Sequence, residues 1–262
     1  MENYGNIATL YDKWLSTDPA YRGSGALYVS VLSQMKSGRY LELAVGTGRI
    51  SLEAIRHAPI SMTGIDISEQ MLSVCKERYD SLSDKKGTLS LCKGDVTQLA
   101  YHEEFEGVIM PYHTIVHMMT EEVANSLFDG VYSALKRGGW FLMDDFSLNL
   151  ENIPWWANTD KPIIEYQDSE ITISDHFQCD FETNLMNVKA FVNDKLFEDF
   201  QIHWRNPDEI ETLAKQAGFE VLSLMGNFDC SAWTKQSPEQ IWLFRKLGNS
   251  ESDIQLPQFK EC

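Results

Sequence analysis

The sequence is short of positive charge: 22 lysines and arginines stand against 39 aspartates and glutamates, a formal net charge of −17 over 262 residues. Non-specific nucleic-acid binding rests on cationic side chains neutralising phosphates, so neither a polyanion nor an anionic membrane surface is an expected partner. Long apolar runs are missing too. No stretch reaches the roughly 18 apolar residues of a membrane helix, and the opening ten residues have no basic segment leading into an apolar one. The five cysteines, Cys75, Cys92, Cys179, Cys230 and Cys262, form no CxxC pair and no zinc-ligand spacing. A disulfide framework and a structural zinc site are therefore not expected, and a reducing, cytoplasmic setting is. Internal repeats and low-complexity segments are absent.

What is present is a globular composition, 43% hydrophobic and 23% charged, long enough for one well-buried α/β domain carrying an insertion. From Arg39 onward short apolar strands alternate with helical patterns: RYLELA, a helix from about Ile50 to His57, ISMTGIDI, and a helix from about Glu69 to Leu82. Ser68 stands where an N-cap is wanted, with Glu69 in the first turn and Met71, Leu72, Cys75, Tyr79 and Leu82 at helical spacing. The rhythm continues through TLSLCKGD, EFEGVIM, a helix from about Glu121 to Leu135, and GGWFLMDDF. It predicts βαβ units and a doubly wound, mostly parallel sheet. From about Pro162 to Arg205 the period changes to two, the mark of an antiparallel β meander inserted after the fifth strand. Pro207 then opens a helix that Gly218 stops, and two more strands bring the sheet to seven. The expected organisation is a helical cap over 1–37, an α/β core over 38–150, the β insertion over 151–206, the rest of the core over 207–247, and a polar tail of disordered character over 248–262.

The segment from Tyr40 to Gly48 runs from an apolar strand into a Gly-x-Gly turn, a geometry that lets backbone amides approach an anionic group. Twenty positions after Gly46, Asp66 ends the next strand, where a carboxylate can accept both hydroxyls of a ribose or simply cap the next helix. A dinucleotide enzyme would carry a third glycine where Ser51 stands, which leaves an NAD-dependent oxidoreductase as an alternative only. His113 and His117 are four apart and would share a helical face, yet no third ligand sits at a telling spacing, so no metal site is expected. Asp144 and Asp145 follow the fifth strand at the ligand edge. Alternation points one of them into the cleft, and Asp145 is the one chosen here.

At these residues the sequence resembles the class I S-adenosylmethionine (SAM) dependent methyltransferases, whose Rossmann-like first motif is met by Glu42, Ala44, Gly46 and Gly48. The resemblance covers roughly residues 7–246 and is nearest to small-molecule enzymes of the amino-sugar N-methyltransferase kind. It implies that the Ala44–Gly48 loop lies under the methionyl part of SAM, that Asp66 binds the ribose, that Ile67 flanks the adenine and that Asp95 caps its amino group. Tyr11, Glu42, Met71, Val96 and Met110 complete the expected cofactor set. His117, Asp145 and Tyr11 are the expected catalytic groups, with His117 as a base of near-neutral pKa. Trp14, His113, Trp155 and Trp156 are expected to wall the pocket of a small-molecule acceptor, although the tryptophans would serve equally well as core. A SAM-binding module without catalysis is the other reading. Either a monomer or a homodimer fits.

Overall fold

The computed structural model describes residues 8–148, 153–154, 156–157, 159, 161–247 and 254–259. Two short helices, α1 (Tyr11–Leu15) and α2 (Pro19–Ser33), precede the alternating core. That core runs β1 (Arg39–Leu43), α3 (Arg49–His57), β2 (Ser61–Asp66), α4 (Glu69–Ser81), β3 (Thr88–Lys93) and β4 (Phe105–Met110). A 3₁₀ turn (Thr114–His117), α5 (Glu121–Ala134) and β5 (Leu135–Phe146) follow. The inserted strands are β6 (Ile163–Gln167), β7 (Thr172–Asp180), β8 (Leu185–Val192) and β9 (Lys195–His203). α6 (Pro207–Ala217), β10 (Phe219–Met225) and β11 (Glu239–Lys246) close the chain's regular structure.

Local chemistry accounts for the helix ends. The Ser68 hydroxyl accepts from Met71 N, Asp18 caps α2 through Ala20 N, and Asn206 with Glu209 forms a capping box around Pro207. Gly218 ends α6 in the left-handed conformation with φ 97°. The seven strands form the doubly wound sheet in the order β10-β11-β5-β4-β1-β2-β3, parallel except where β11 runs against both β5 and β10. The chain builds outward from β1 through β2 and β3, then returns to lay β4 on β1's other side. This reversal opens a crevice at the carboxyl ends of β1 and β4, the usual ligand position in open α/β sheets. One apolar layer lies under α5 and α6, around Phe105, Phe128, Phe141 and Phe244, and the other under α2 and α3, around Tyr28, Leu32 and Trp140.

The insertion is a separate four-stranded antiparallel sheet, β6-β7-β8-β9. It is fastened to the crevice by Arg205, whose buried guanidinium donates to the carbonyls of Ile115, Met118 and Thr120 around the 3₁₀ turn. Residues 254–259 depart from the disordered character expected of the tail. Trp140 Nε1 donates to Gln255 O, Gln34 and Gln258 bond at the end of α2, and Ile254, Leu256 and Phe259 pack on the second layer.

Arg205→Ala strands three carbonyls and removes the turn's fastening. It should destabilise the fold by about 2–4 kcal/mol in urea denaturation. Arg205→Lys, lacking the planar fork, should recover only part of the loss.

Candidate active site

The loop leaving β1 is bent by three left-handed residues in five: Ala44 at φ 54°, Gly46 at φ 54° and Gly48 at φ 84°. Ala44 bears a steric penalty there that glycine would not, and such strain persists only where surrounding bonds fix it. Asp66 supplies them, accepting from Gly46 N at 2.8 Å and from Ser68 N at 2.9 Å. Burial still holds its carboxyl above the usual range despite those bonds. A side chain on Gly46 would meet only the Ala44 carbonyl, 3.9 Å away, so the loop presents bare backbone to open space. Beneath it Glu42 accepts from the Ser51 amide and hydroxyl, and burial pushes its carboxyl up to about 7. Ser51, the residue in place of a third glycine, thus has a bonding role of its own.

β4 ends in an equally tight turn, with Tyr112 at φ 56° and His113 at φ 55°. Asp144 accepts from both amides, at 3.0 and 3.1 Å, and from the buried Tyr28 hydroxyl at 2.6 Å. His113 Nε2 lies 2.8 Å from Glu239 and 3.7 Å from Asp144. Burial alone would depress this imidazole, but Glu239, Asp144 and Asp145 outweigh it and push it up to about 10, so it is an imidazolium at neutral pH. His117 has the opposite fate. Half-buried at the end of the 3₁₀ turn with Phe200 at 6.2 Å, it is pushed down to about 4 by loss of solvent, not held near neutrality. Nor do the two histidines share a helical face, because His113 turns left-handed just before the 3₁₀ turn begins.

α1 roofs the crevice. Asp12 accepts from the Thr47 hydroxyl at 2.9 Å and the Tyr21 hydroxyl at 2.7 Å, while Arg49 stacks 3.9 Å over the Tyr21 ring. On the far side Trp14 Nε1 donates to Asp175 of β7 at 2.8 Å. The space enclosed is one cavity of about 810 Å³, reaching from the β1 loop to the inner face of the insertion.

Of the residues singled out from sequence, Tyr11, Trp14, Glu42, Ala44, Gly46, Asp66, Ile67, Met71, Asp95, Val96, His113, His117 and Trp156 line this cavity. Gly48, Met110 and Asp145 do not. Gly48 faces Cys75 and Leu52, Met110 is fully buried, and Asp145 is buried beside Gln240, where lack of solvent pushes its carboxyl up to about 8. The alternation at the end of β5 turns Asp144, not Asp145, toward the exit of β4. Trp155 lies outside the described residues. Sequence reasoning missed Arg49, Tyr112, Glu165, Asp175, Phe200 and Glu239, all on the cavity wall. Only Arg49 had a local signal, as the residue directly after the glycine turn. Among the described residues no group of three or more His, Cys, Asp or Glu could hold a metal ion, and no helix is long and apolar enough to cross a membrane.

Residues 41–139 match the pattern of a methyltransferase-domain family. A Bacillus subtilis protein named as a methyltransferase, YqeM, is 23% identical over 96% of this chain and 99% of its own length. Among solved structures, a SAM-dependent methyltransferase from Clostridium acetobutylicum has the same fold, with a TM-score of 0.72 at 23% identity over 94% of this chain and 99% of that one. The SAM-bound amino pentose methyltransferase of calicheamicin biosynthesis from Micromonospora echinaspora shares it too, with a TM-score of 0.66 at 12% identity over 92% and 96% of the two chains. Residues 41–139 are thus a methyltransferase domain by their match, and the sheet order with its crevice at the ends of β1 and β4 is the fold of the SAM-dependent methyltransferases.

Proposed function

We propose that the chain transfers a methyl group from SAM to a nitrogen or oxygen atom of a small-molecule acceptor. The observation that carries this reading is the single cavity of about 810 Å³ joining the β1 loop to the insertion. Small-molecule sites span roughly 300–1,000 Å³, so this one suits two ligands meeting end to end.

The residues present fit the cofactor. Bare backbone over Gly46 leaves room for close approach, and Arg49 beside it brings a cation to the methionyl carboxylate. Asp66 keeps lone pairs for two ribose hydroxyls after its backbone bonds are made. Ile67, Met71 and Val96 are the apolar bed for the adenine, with Asp95 at its amino group. When bound, SAM supplies a methyl group on a sulfonium that departs in line with the attacking atom. The protein's task is then alignment in a dry site more than proton chemistry. His117 is neutral above about pH 4, so it positions the acceptor through a hydrogen bond and stores no proton. His113, charged and held by Glu239 and Asp144, fixes the lip of β4. The likeness to an amino pentose methyltransferase supports an acceptor that carries nitrogen.

Asp66→Ala should weaken S-adenosylhomocysteine binding by about 1.5–3 kcal/mol in calorimetry, since charge-assisted bonds to two hydroxyls are lost. Because the same oxygens satisfy Gly46 and Ser68, the melting temperature should fall as well. Unchanged affinity in the folded variant would remove Asp66 from the cofactor site.

His117→Asn should lower turnover about 10–100 fold while SAM affinity holds. The wild-type acid limb due to His117 should lie near pH 4 and vanish in the variant. Stability offers a second readout. The folded pKa is depressed from 6.5 to about 4, so the unfolded chain binds the extra proton and wild-type stability declines as pH falls through that window. The asparagine variant should lose that slope in denaturant titrations.

A further inference from the structure

Where it lines the cavity, the inner face of the insertion is apolar except at Glu165 on β6 and Asp175 on β7. Along β7 it shows Ile173, Asp175 and Phe177, and the cross-strand neighbours of Asp175 and Phe177 on β8 are Ala190 and Val188. Phe200 and Ile202 continue the face on β9, opposite Val188 and Met186. A carboxyl group in such a field loses its hydration and gains nothing from Ala190, which has no side-chain donor. Asp175 is 4% exposed and lines the cavity. One of its oxygens takes the Trp14 indole N–H, and the other, Oδ1, is buried with no hydrogen-bond partner among the described residues. Burial pushes the carboxyl up to about 8, against the pull of Trp14 and with a further push from Glu165 on the neighbouring β6. Among the described residues nothing in the fold's own bonding uses the second oxygen. The Trp14 contact by itself would be met by a neutral asparagine.

Resting on the methyltransferase reading, we propose that Asp175, with Glu165 beside it, is the anchoring subsite for the acceptor, and that the acceptor carries an ammonium group on a compact apolar body. The cation supplies the N–H donors that Oδ1 lacks and displaces the proton that burial otherwise keeps on the carboxyl. Phe177, Met186, Val188, Phe200 and Ile202 receive the apolar part. A polyhydroxylated body would find few partners for its hydroxyls on that face, which separates this acceptor class from a free amino sugar.

The test uses the full chain saturated with S-adenosylhomocysteine and three probes at neutral pH: cyclohexylamine, which is a cation there, cyclohexanol, and glucosamine. Calorimetry should show cyclohexylammonium binding at least about tenfold more tightly than the other two. Asp175→Asn, which preserves shape and the acceptor for Trp14, should bring the cation down to the level of the alcohol. Its S-adenosylhomocysteine affinity and melting temperature should hold. Glu165→Gln should reduce the preference in part and serves as a second variant. Equal affinity for cation and alcohol, no binding of cyclohexylammonium at millimolar concentration, or a preference untouched by Asp175→Asn would each overturn the proposal. Glucosamine matching cyclohexylammonium would overturn its apolar half. Failure of S-adenosylhomocysteine to bind at all would strike the methyltransferase reading instead, so the two failures are distinguishable.

Discussion

Both strands that border the crevice leave the sheet in conformations that L-residues avoid, and each exit is held by one buried carboxylate from the strand next door. For β1 the strained residue is Ala44 and the carboxylate is Asp66, at the end of β2. For β4 the strained residues are Tyr112 and His113 and the carboxylate is Asp144, near the end of β5. A left-handed non-glycine residue costs of order 1–3 kcal/mol, so neither turn would persist without bonds that over-determine it. The cavity exists because these turns fold back from the strand ends. Parallel pairing sets the geometry in advance: Leu43 lies against Ile65 and Met110 against Met143, which brings each carboxylate level with the loop it secures.

The two carboxylates differ in what else they do. Asp66 faces the cavity, and its remaining lone pairs are open to a ligand. Asp144 is fully buried and spends its capacity on Tyr28 and two amides, with the His113 imidazolium 3.7 Å away. The charge of His113 is in turn balanced by Glu239, contributed by the last strand of the sheet. A neutral imidazole there would leave two buried carboxylates facing each other across the lip of β4. That is why His113 stays protonated while His117, four residues on, is driven neutral by burial.

Much of this was legible because it is local. Ser68, Pro207 and Gly218 mark helix ends by chemistry that acts within a turn, and the change from helical rhythm to period two announced the insertion at its observed place. The glycine turn and Asp66 were readable as a pair because one βα unit fixes their spacing. The remainder of the site is not written locally. Glu239 reaches His113 across 126 positions, and Asp175 reaches Trp14 across 161. No period or spacing encodes such pairings. Alternation pointed one of Asp144 and Asp145 into the cleft, yet both are fully buried and neither lines the cavity, Asp144 being taken up by the β4 exit and Asp145 lying beside Gln240, which only the packed sheet decides. The low pKa of His117 likewise comes from burial, a property of the assembled fold and not of the residue.

α1 shows how the two halves of the cavity are joined. At five residues it is far too short to be stable by itself, since nucleating a helix fixes several dihedrals before any hydrogen bond is gained. Its order therefore comes from outside. Asp12 bonds to Thr47 on the side of the β1 loop, and Trp14 bonds to Asp175 on the insertion side, two residues further along the same turn. The Arg78–Asp12 and Lys13–Asp168 ion pairs add to these two bonds, one toward each wall of the cavity. The β1 loop and the inserted sheet, which share no strand pairing, are thus linked through two side chains of one helical turn.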